Sequence, residues 1–360
     1  MAPTAQTFQT LLDENTRPGE LFIPLKKGSL ICTACGHRCQ LRPGQRGVCK
    51  VRFNHNGVLK VPFNYAAGIQ NDPIEKKPFF HALPGTQAMS FGMLGCDFRC
   101  AYCQNWFTSQ ALRDDASTLN FDVITPRAIC DLAEQQGSKT VVSTYNEPLI
   151  TSEWAVEVFE EAKNRGLVTG FVSNGHGTPE VLEYVRPWLD LFKIDLKCFD
   201  RKKYLKLGGN FEGVLDTIRQ VYAMKFWTEI VTLVVPGYND SDEELTQMAE
   251  FIASVSVDIP WHVTAFRPQY KMADRDSTPV ETLFRARKIG LKAGLKFVYS
   301  GNRPGEVRDT EDTMCPKCGK TLIERYGFQV LTNFLDHGTC PECHETIPGM
   351  WSPNGTTPHA

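Results

Sequence analysis

Residues 95–106 read Gly-Cys-Asp-Phe-Arg-Cys-Ala-Tyr-Cys-Gln-Asn-Trp, so that Cys96, Cys100 and Cys103 follow one another with C-x3-C-x2-C spacing. The loop follows Ala88–Leu94, whose apolar residues predict a strand. Thiolates are soft ligands that favour zinc or iron–sulfur clusters. A structural zinc ion needs a fourth ligand, and the loop offers none. The spacing therefore predicts a [4Fe–4S] cluster with one open iron; a zinc knuckle that borrows a distant ligand is the alternative.

This loop resembles the motif that defines the radical S-adenosylmethionine (SAM) superfamily. The resemblance implies that the open iron chelates the amino and carboxylate groups of SAM. Reduction then cleaves SAM to methionine and a 5′-deoxyadenosyl radical, which abstracts a hydrogen atom from a protein, peptide or small-molecule substrate. The resemblance also implies an electron donor of the flavodoxin or ferredoxin type. Cys96, Cys100 and Cys103 are accordingly the predicted catalytic and cluster-binding residues.

Residues 88–312 alternate predicted strands with helices. The predicted strands are Ala88–Leu94, Thr140–Tyr145, Leu167–Ser173, Leu189–Lys197, Glu229–Val235, Trp261–Phe266 and Lys296–Ser300. Such alternation implies a parallel sheet with right-handed crossovers. The number of repeats falls short of eight, so we expect an α/β fold in the form of an open, partial (β/α)6-type barrel. In such barrels chemistry lies on the loops at the carboxyl ends of the strands.

Polar residues stand at the ends of the second and third strands of this repeat. Glu147 offers a carboxylate that can accept hydrogen bonds from an ammonium group. With Asn146 before it, the segment resembles the family's Gly-Gly-Glu-type motif, which holds the SAM amino group. Ser173 and Asn174 are small polar residues suited to a ribose or a carboxylate. The alternatives are a Glu-Pro helix entry and an ordinary Asn-Gly turn.

The fourth strand places charges inside the predicted barrel. Period-two alternation puts Lys193, Asp195 and Lys197 on one face, opposite an apolar face. Burying such charges is costly unless they are paired or bind a ligand. A structural Lys–Asp pair is the alternative. In the activating enzymes of glycyl-radical enzymes a matching Asp-x-Lys lies beside SAM and the peptide substrate, which makes Asp195 and Lys197 predicted cofactor contacts.

Three more cofactor contacts are predicted from the same relatives. Val235 precedes a Pro-Gly turn and matches the segment that lies against the adenine. His262, on the sixth strand, has a counterpart near SAM, and Tyr102 could stack on the adenine. Each has a structural alternative: a common turn, a core histidine and a loop filler.

Two further cysteine groups flank the barrel. Cys315-Pro-Lys-Cys318 and Cys340-Pro-Glu-Cys343 form paired C-P-x-C knuckles, which predict a structural zinc ribbon; a rubredoxin-like iron is the alternative. The first group has the less regular spacing Cys32-x2-Cys35-x3-Cys39-x9-Cys49. It predicts a zinc ion or, as the second possibility, an auxiliary iron–sulfur cluster.

These patterns divide the chain into four parts. An N-terminal extension with a four-cysteine metal site spans residues 1–87, the partial barrel residues 88–312 and a zinc-ribbon-like module residues 313–351. Residues 352–360 contain turn formers and predict a flexible tail.

Composition limits the functional classes. Of 360 residues, 39 are basic and 41 acidic, which gives a net charge of −2 and argues against general nucleic-acid binding. No apolar run is long enough to cross a bilayer, and the N-terminus lacks a secretory pattern. We expect a cytoplasmic enzyme without a membrane or nucleic-acid partner. The alternatives are a zinc-ribbon adaptor and an RNA-modifying radical SAM enzyme; the latter lacks an evident arginine–aromatic platform.

Beyond the loop, the chain resembles the radical SAM enzyme of the AmmeMemoRadiSam three-gene system, which is related to glycyl-radical (pyruvate formate-lyase type) activating enzymes. The matching segments, besides the loop itself, are Cys32–Cys49, Asp72–Pro78, Thr144–Pro148, Leu233–Asp240, Gly301-Asn302 and Cys315–Trp351. The resemblance implies Memo-type and AMMECR-type proteins as possible partners. Activating enzymes with a ferredoxin insert carry it after the radical loop, whereas this chain has its extra cysteines before that loop and near the end.

Overall fold

A computed structural model of the chain describes residues 5–114, 120–307, 309–353 and 355–357. Its centre is an eight-stranded sheet. The strands are β1 (Gly68–Pro73), β2 (Gln87–Gly92), β3 (Thr140–Ser143), β4 (Val168–Ser173), β5 (Leu191–Asp195), β6 (Trp227–Val234), β7 (Trp261–Ala265) and β8 (Val298–Gly301). They are ordered β8-β7-β6-β5-β4-β3-β2-β1, and neighbours from β2 to β8 are parallel. The edge strands do not pair with each other, so the predicted open, partial α/β barrel is confirmed.

Helices connect the parallel strands. They are α1 (Pro126–Gln135), α2 (Ser152–Asn164), α3 (Pro179–Val185), α4 (Arg201–Leu207), α5 (Phe211–Ala223), α6 (Asp242–Val255) and α7 (Val280–Lys292). The predicted N-caps are present: the Thr125 side chain accepts from the Ala128 N–H, and that of Ser241 from the Glu244 N–H. Helices α4 and α5 were not predicted, although Asp200 and Asn210 cap them. The longest helix has 14 residues, and within the described ranges none has the length and apolar character needed to traverse a bilayer.

Strand β1 corrects the predicted boundary at residue 87. It pairs antiparallel to β2 and so belongs to the barrel sheet. Its sequence, Gly-Ile-Gln-Asn-Asp-Pro, lacks the apolar alternation by which strands are recognised, and the pairing depends on backbone hydrogen bonds instead.

The N-terminal region forms small antiparallel sheets against the barrel. One contains Thr16–Pro18, Val58–Pro62 and Phe53–His55, and another Phe22–Pro24, Leu30–Cys32 and Gln40–Leu41. A pair joins Tyr65–Ala66 to Asp122–Val123. The remaining helices are Ala5–Glu14 and Trp106–Ser109, with 3₁₀ turns at Lys26–Gly28, Ile74–Lys76, Pro148–Thr151 and Tyr270–Met272.

The C-terminal module is a three-stranded antiparallel sheet of Thr313–Met314, Thr321–Tyr326 and Gln329–Asn333. An apolar cluster that includes Phe80, Phe297, Leu322 and Ile323 joins it to the barrel. Where a flexible tail was predicted, Gly355–Thr357 instead pairs with Gly349–Ser352. Residues 354 and 358–360 of that predicted tail lie outside the described residues.

His81 stands where the barrel meets this module and predicts a pH-dependent stability. Its ring is fully buried, Nδ1 donates to the Pro348 carbonyl (2.7 Å), and Nε2 accepts from the Tyr299 hydroxyl (2.6 Å). Burial lowers the pKa of His81 to about 4. Between that value and the unfolded pKa of about 6.5 the unfolded chain binds more protons, so stability falls as pH falls.

We expect the free energy of unfolding of the wild type to drop between pH 7 and pH 4.5 by about 2–3 kcal/mol more than that of His81→Gln. Urea titrations at the two pH values measure this difference. His337→Gln, at an exposed ring, is the matched control and should follow the wild type. Identical pH profiles for the wild type and His81→Gln would contradict the assignment.

Candidate active site

The three-cysteine loop leaves β2 through a glycine that the backbone requires. Gly95 has φ +90°, which favours glycine, and a Cβ there would lie 2.8 Å from both the Cys49 carbonyl oxygen and a Val51 methyl. The loop therefore presses directly against the N-terminal cysteine segment. Within the loop, the Phe98 N–H donates to Cys96 Sγ (3.3 Å).

Residues just after the loop hold it in place. The Arg113 guanidinium donates to the carbonyls of Phe98 and Cys96, both at 2.7 Å, and also to that of Val48. Ser109 Oγ lies 3.2 Å from Cys103 Sγ. Sequence reasoning missed these residues, although both lie within ten residues after Cys103.

The carboxyl ends of the neighbouring strands meet the loop around one cavity. Its lining contains the three cysteines together with predicted residues from three strand ends: Asn146, Glu147, Ser173, Asn174, Asp195 and Lys197. Parallel strands end at the same edge of a sheet, which is why residues far apart in sequence converge here. Phe98, Asn105, Ser109, Gln110, Thr144, Tyr145 and Val172 complete the lining.

The buried carboxylate of Glu147 lines the cavity and accepts three hydrogen bonds. Its carboxylate accepts from Ser173 Oγ and from the Asn174 backbone N–H, both at 2.7 Å, and from the Leu149 N–H at 3.1 Å. Burial raises the pKa of Glu147 to about 8, and the negative charge of Asp97 adds to the shift. A cation placed in the cavity would favour the charged form of this carboxylate.

The charges of β5 form a chain of ion pairs. Asp195 contacts the Lys193 ammonium and lies 3.2 Å from that of Lys197. Burial alone would raise the pKa of Asp195, but the two lysines outweigh it and lower that pKa to about 2. The predicted alternation is confirmed, and the paired charges leave Asp195 and Lys197 on the cavity wall.

A second buried network lies behind the loop. Asn174 Nδ2 donates to Asp97 Oδ1 (2.8 Å), and the other carboxylate oxygen lies 2.8 Å from His176 Nδ1. Asp97 Oδ1 is also 3.8 Å from Cys96 Sγ. Asp97 was not among the predicted site residues, although it directly follows a cluster cysteine.

Comparison with known proteins agrees with this geometry. The Radical SAM superfamily model matches residues 92–251, which include the loop and the carboxyl ends of strands β2 to β6. The chain belongs to the radical SAM superfamily. It is 35% identical over 342 residues to the uncharacterized protein MJ0808 of Methanocaldococcus jannaschii, a match that covers 92% of this chain and 98% of that protein.

Two further comparisons concern activating enzymes. The chain is 28% identical to the pyruvate formate-lyase-activating enzyme of Staphylococcus aureus, over 48% of this chain and 71% of that enzyme. The solved domain of a pyruvate-formate lyase-activating enzyme from Bacteroides vulgatus has 21% identity and a TM-score of 0.40, with 45% of this chain and 98% of that chain covered. The family match over residues 92–251 and the sequence similarity to the Staphylococcus aureus enzyme indicate that the chain is an enzyme of the radical SAM type.

Three of the predicted cofactor contacts lie outside the cavity. His262 is the second residue of β7, near its amino end, and bonds to Glu229 (2.6 Å) instead. The Val235 N–H donates to Asn239 Oδ1, and its side chain is buried. Tyr102 packs edge-on against Tyr238. The sequence identified the strands correctly but could not show which residues reach the carboxyl edge.

The flanking cysteine groups have different geometries. The sulfur atoms of Cys315, Cys318, Cys340 and Cys343 all lie within 4.8 Å of one another, as a single metal ion requires. Cys35 instead shares such a neighbourhood with Asp97 and His176. Cys130 and Cys198 are buried thiols that bond to the Val158 and Asp200 carbonyls.

Proposed function

We propose that this radical SAM enzyme binds a [4Fe–4S] cluster through Cys96, Cys100 and Cys103 and binds SAM in the adjoining cavity. When bound, the cluster and SAM supply a 5′-deoxyadenosyl radical that abstracts a hydrogen atom from the substrate. These three thiols suit a cluster with one open iron, because no fourth metal-binding side chain among the described residues lies close enough to share one ion with them. The observation that carries the proposal is the convergence of three thiols, two acids and a lysine on one cavity.

The cavity residues have complementary tasks in this proposal. Glu147 is oriented by Ser173 and Asn174 to accept hydrogen bonds from the SAM ammonium group. Lys197 offers a cation for a carboxylate, while Asp195 holds its ammonium group in place. Arg113 keeps the loop carbonyls fixed.

Glu147 provides a direct test of SAM binding. Glu147→Gln retains the shape of the side chain but removes the charge that would pair with the ammonium group. We expect the Kd for SAM to rise about tenfold, since charge-assisted hydrogen bonds are roughly twice as strong as neutral ones. Equilibrium binding to anaerobic, iron-loaded protein measures the change. Glu180→Gln, at a surface ion pair, is the control, and an equal Kd for all three proteins would contradict the role.

We propose a protein or peptide as the substrate, and a flavodoxin or ferredoxin as the electron donor. The similarity to a pyruvate formate-lyase-activating enzyme supports a macromolecular substrate. Memo-type and AMMECR-type proteins are the first candidates for partners. Each candidate, labelled with deuterium, can be incubated with reduced enzyme and SAM; deuterium in 5′-deoxyadenosine identifies the substrate. A candidate that yields only unlabelled 5′-deoxyadenosine is excluded.

For the C-terminal cysteine group we propose a structural zinc ion. Four thiols surround the site and leave no open position for a substrate. All thirteen cysteines of the chain are free rather than joined in disulfides, which fits a reducing compartment, and we propose a cytoplasmic location.

A further inference from the structure

The spacing of sulfur atoms distinguishes the two flanking cysteine groups. In the C-terminal group, Cys315 Sγ lies 3.5 Å from Cys343 Sγ, and Cys318 Sγ lies 3.7 Å from Cys340 Sγ. Thiolates that share one zinc ion, each about 2.3 Å from it, are held at such separations. This group is therefore shaped for a single ion.

The N-terminal cysteine group, Cys32, Cys35, Cys39 and Cys49, is more open. Cys39 Sγ and Cys49 Sγ each lie 3.6 Å from the point where a Cβ on Gly47 would stand. Within residues 5–114, 120–307, 309–353 and 355–357, the sulfur atoms of this group do not all lie within 4.8 Å of one another, whereas those of the C-terminal group do. With the side chains in these positions, the four sulfurs are too far apart to bind one ion together.

The same open spacing is found in the radical loop. Cys96, Cys100 and Cys103 line one cavity. In the part of the chain that the structure describes, however, their sulfur atoms do not all lie within 4.8 Å of one another, as the ligands of a single ion would. In an iron–sulfur cluster the thiolates are divided among two or four irons, so the sulfurs as a set stand farther apart than around one ion. We propose that the N-terminal cysteine group holds an iron–sulfur cluster rather than a zinc ion.

The surroundings of Cys32 suit a negatively charged cluster. The guanidinium of Arg52 is fully buried, and its Nε donates to Cys32 Sγ (3.2 Å). The Arg52 charge is already paired with Glu153, so what Arg52 offers the Cys32 sulfur is a fixed hydrogen-bond donor. Hydrogen bonds to the sulfurs also tune the reduction potential of such clusters.

Cys35 lies near Asp97 and His176, but these two residues are already satisfied. His176 Nδ1 bonds to Asp97, and its Nε2 accepts from the Asn210 N–H (3.3 Å). The other Asp97 oxygen accepts from Asn174. Both imidazole nitrogens are in use, so Cys35 is left to act with the other cysteines of its group.

The proposed cluster adjoins the radical loop. The Asp97 carboxylate lies within 4.8 Å of Cys35 Sγ, and its Oδ1 lies 3.8 Å from Cys96 Sγ. A single side chain thus separates a thiol of the N-terminal group from a thiol of the loop. The inference does not depend on the SAM chemistry proposed above, because different cysteines carry it.

A variant without the loop cysteines isolates the N-terminal group. The full chain carrying Cys96→Ala, Cys100→Ala and Cys103→Ala is loaded anaerobically with ferrous iron and sulfide, and its iron, acid-labile sulfide and zinc are counted. We expect about two to four irons with matching sulfide per chain, an electron paramagnetic resonance signal after reduction, and one zinc. A second zinc, or no sulfide-matched iron, would overturn the proposal.

Adding Cys39→Ser to this variant is the matched control for adventitious iron. We expect the resonance signal to change or disappear, since one cluster ligand is altered, while the zinc content stays the same. An unchanged signal would overturn the proposal even if the iron count were high. Failure of the proposed SAM chemistry gives a different pattern: the loop variant keeps its cluster, but the wild type leaves SAM intact.

Discussion

Replacing Cys100 with alanine is expected to remove the cluster from the radical loop and to lower the rate of SAM cleavage at least about a thousandfold. Cys100 is buried at the cavity wall, with Cys96 and Cys103 as the other loop thiols. Two thiolates in this loop would leave two irons of a cubane without protein ligands, which favours loss of the cluster.

The chain supplies its own controls for this prediction. Cys130→Ala and Cys198→Ala also delete buried thiols, but these lie in the apolar core and outside the three cysteine groups. Both should retain wild-type iron content and SAM cleavage. Iron and sulfide counts, together with the 5′-deoxyadenosine released by reduced protein, measure the effect. Wild-type cleavage by Cys100→Ala would contradict the assignment of the loop.

Glu153→Gln is expected to destabilise the fold by about 3–5 kcal/mol, because it leaves the buried Arg52 charge without its partner. The two side chains are 1% and 0% exposed and form a bidentate pair at 2.6 and 2.8 Å. The pair links the N-terminal cysteine segment to helix α2. Arg52→Met with Glu153→Leu removes both charges and should recover a large part of the loss.

Urea unfolding at constant pH measures this effect. The control is Asp216→Asn, which breaks the exposed Arg219–Asp216 pair, with side chains 54% and 60% exposed. We expect a change of no more than about 1 kcal/mol there, as for most surface ion pairs. Equal losses for Glu153→Gln and Asp216→Asn would contradict the structural role of the buried pair.

The barrel was predictable because its strands and caps carry local signals. The apolar residues of strands β2 to β8 predicted these strands, and the predicted helix N-caps Thr125 and Ser241 are present in the structure. Strand β1 was not predictable, because its polar sequence pairs through the backbone.

The cavity was predictable only for residues at the carboxyl end of a strand or within a few residues after it. Glu147, Asn174 and Asp195 meet there because parallel strands end at one edge. His262 does not line the cavity, because it is the second residue of β7 and bonds to Glu229; its predicted contact with SAM stays a prediction. Long-range contacts such as that of Arg113 with the Val48 carbonyl depend on how distant segments of the chain pack together. The spacing of residues within one segment does not predict such contacts.

The fate of SAM tests the central claim most directly. Wild-type protein, loaded anaerobically with iron and sulfide and then reduced, is incubated with SAM, and methionine and 5′-deoxyadenosine are quantified by mass spectrometry. The account predicts that both products form in equal amounts and depend on Cys96, Cys100 and Cys103. Fully iron-loaded, reduced protein that leaves SAM intact would contradict it.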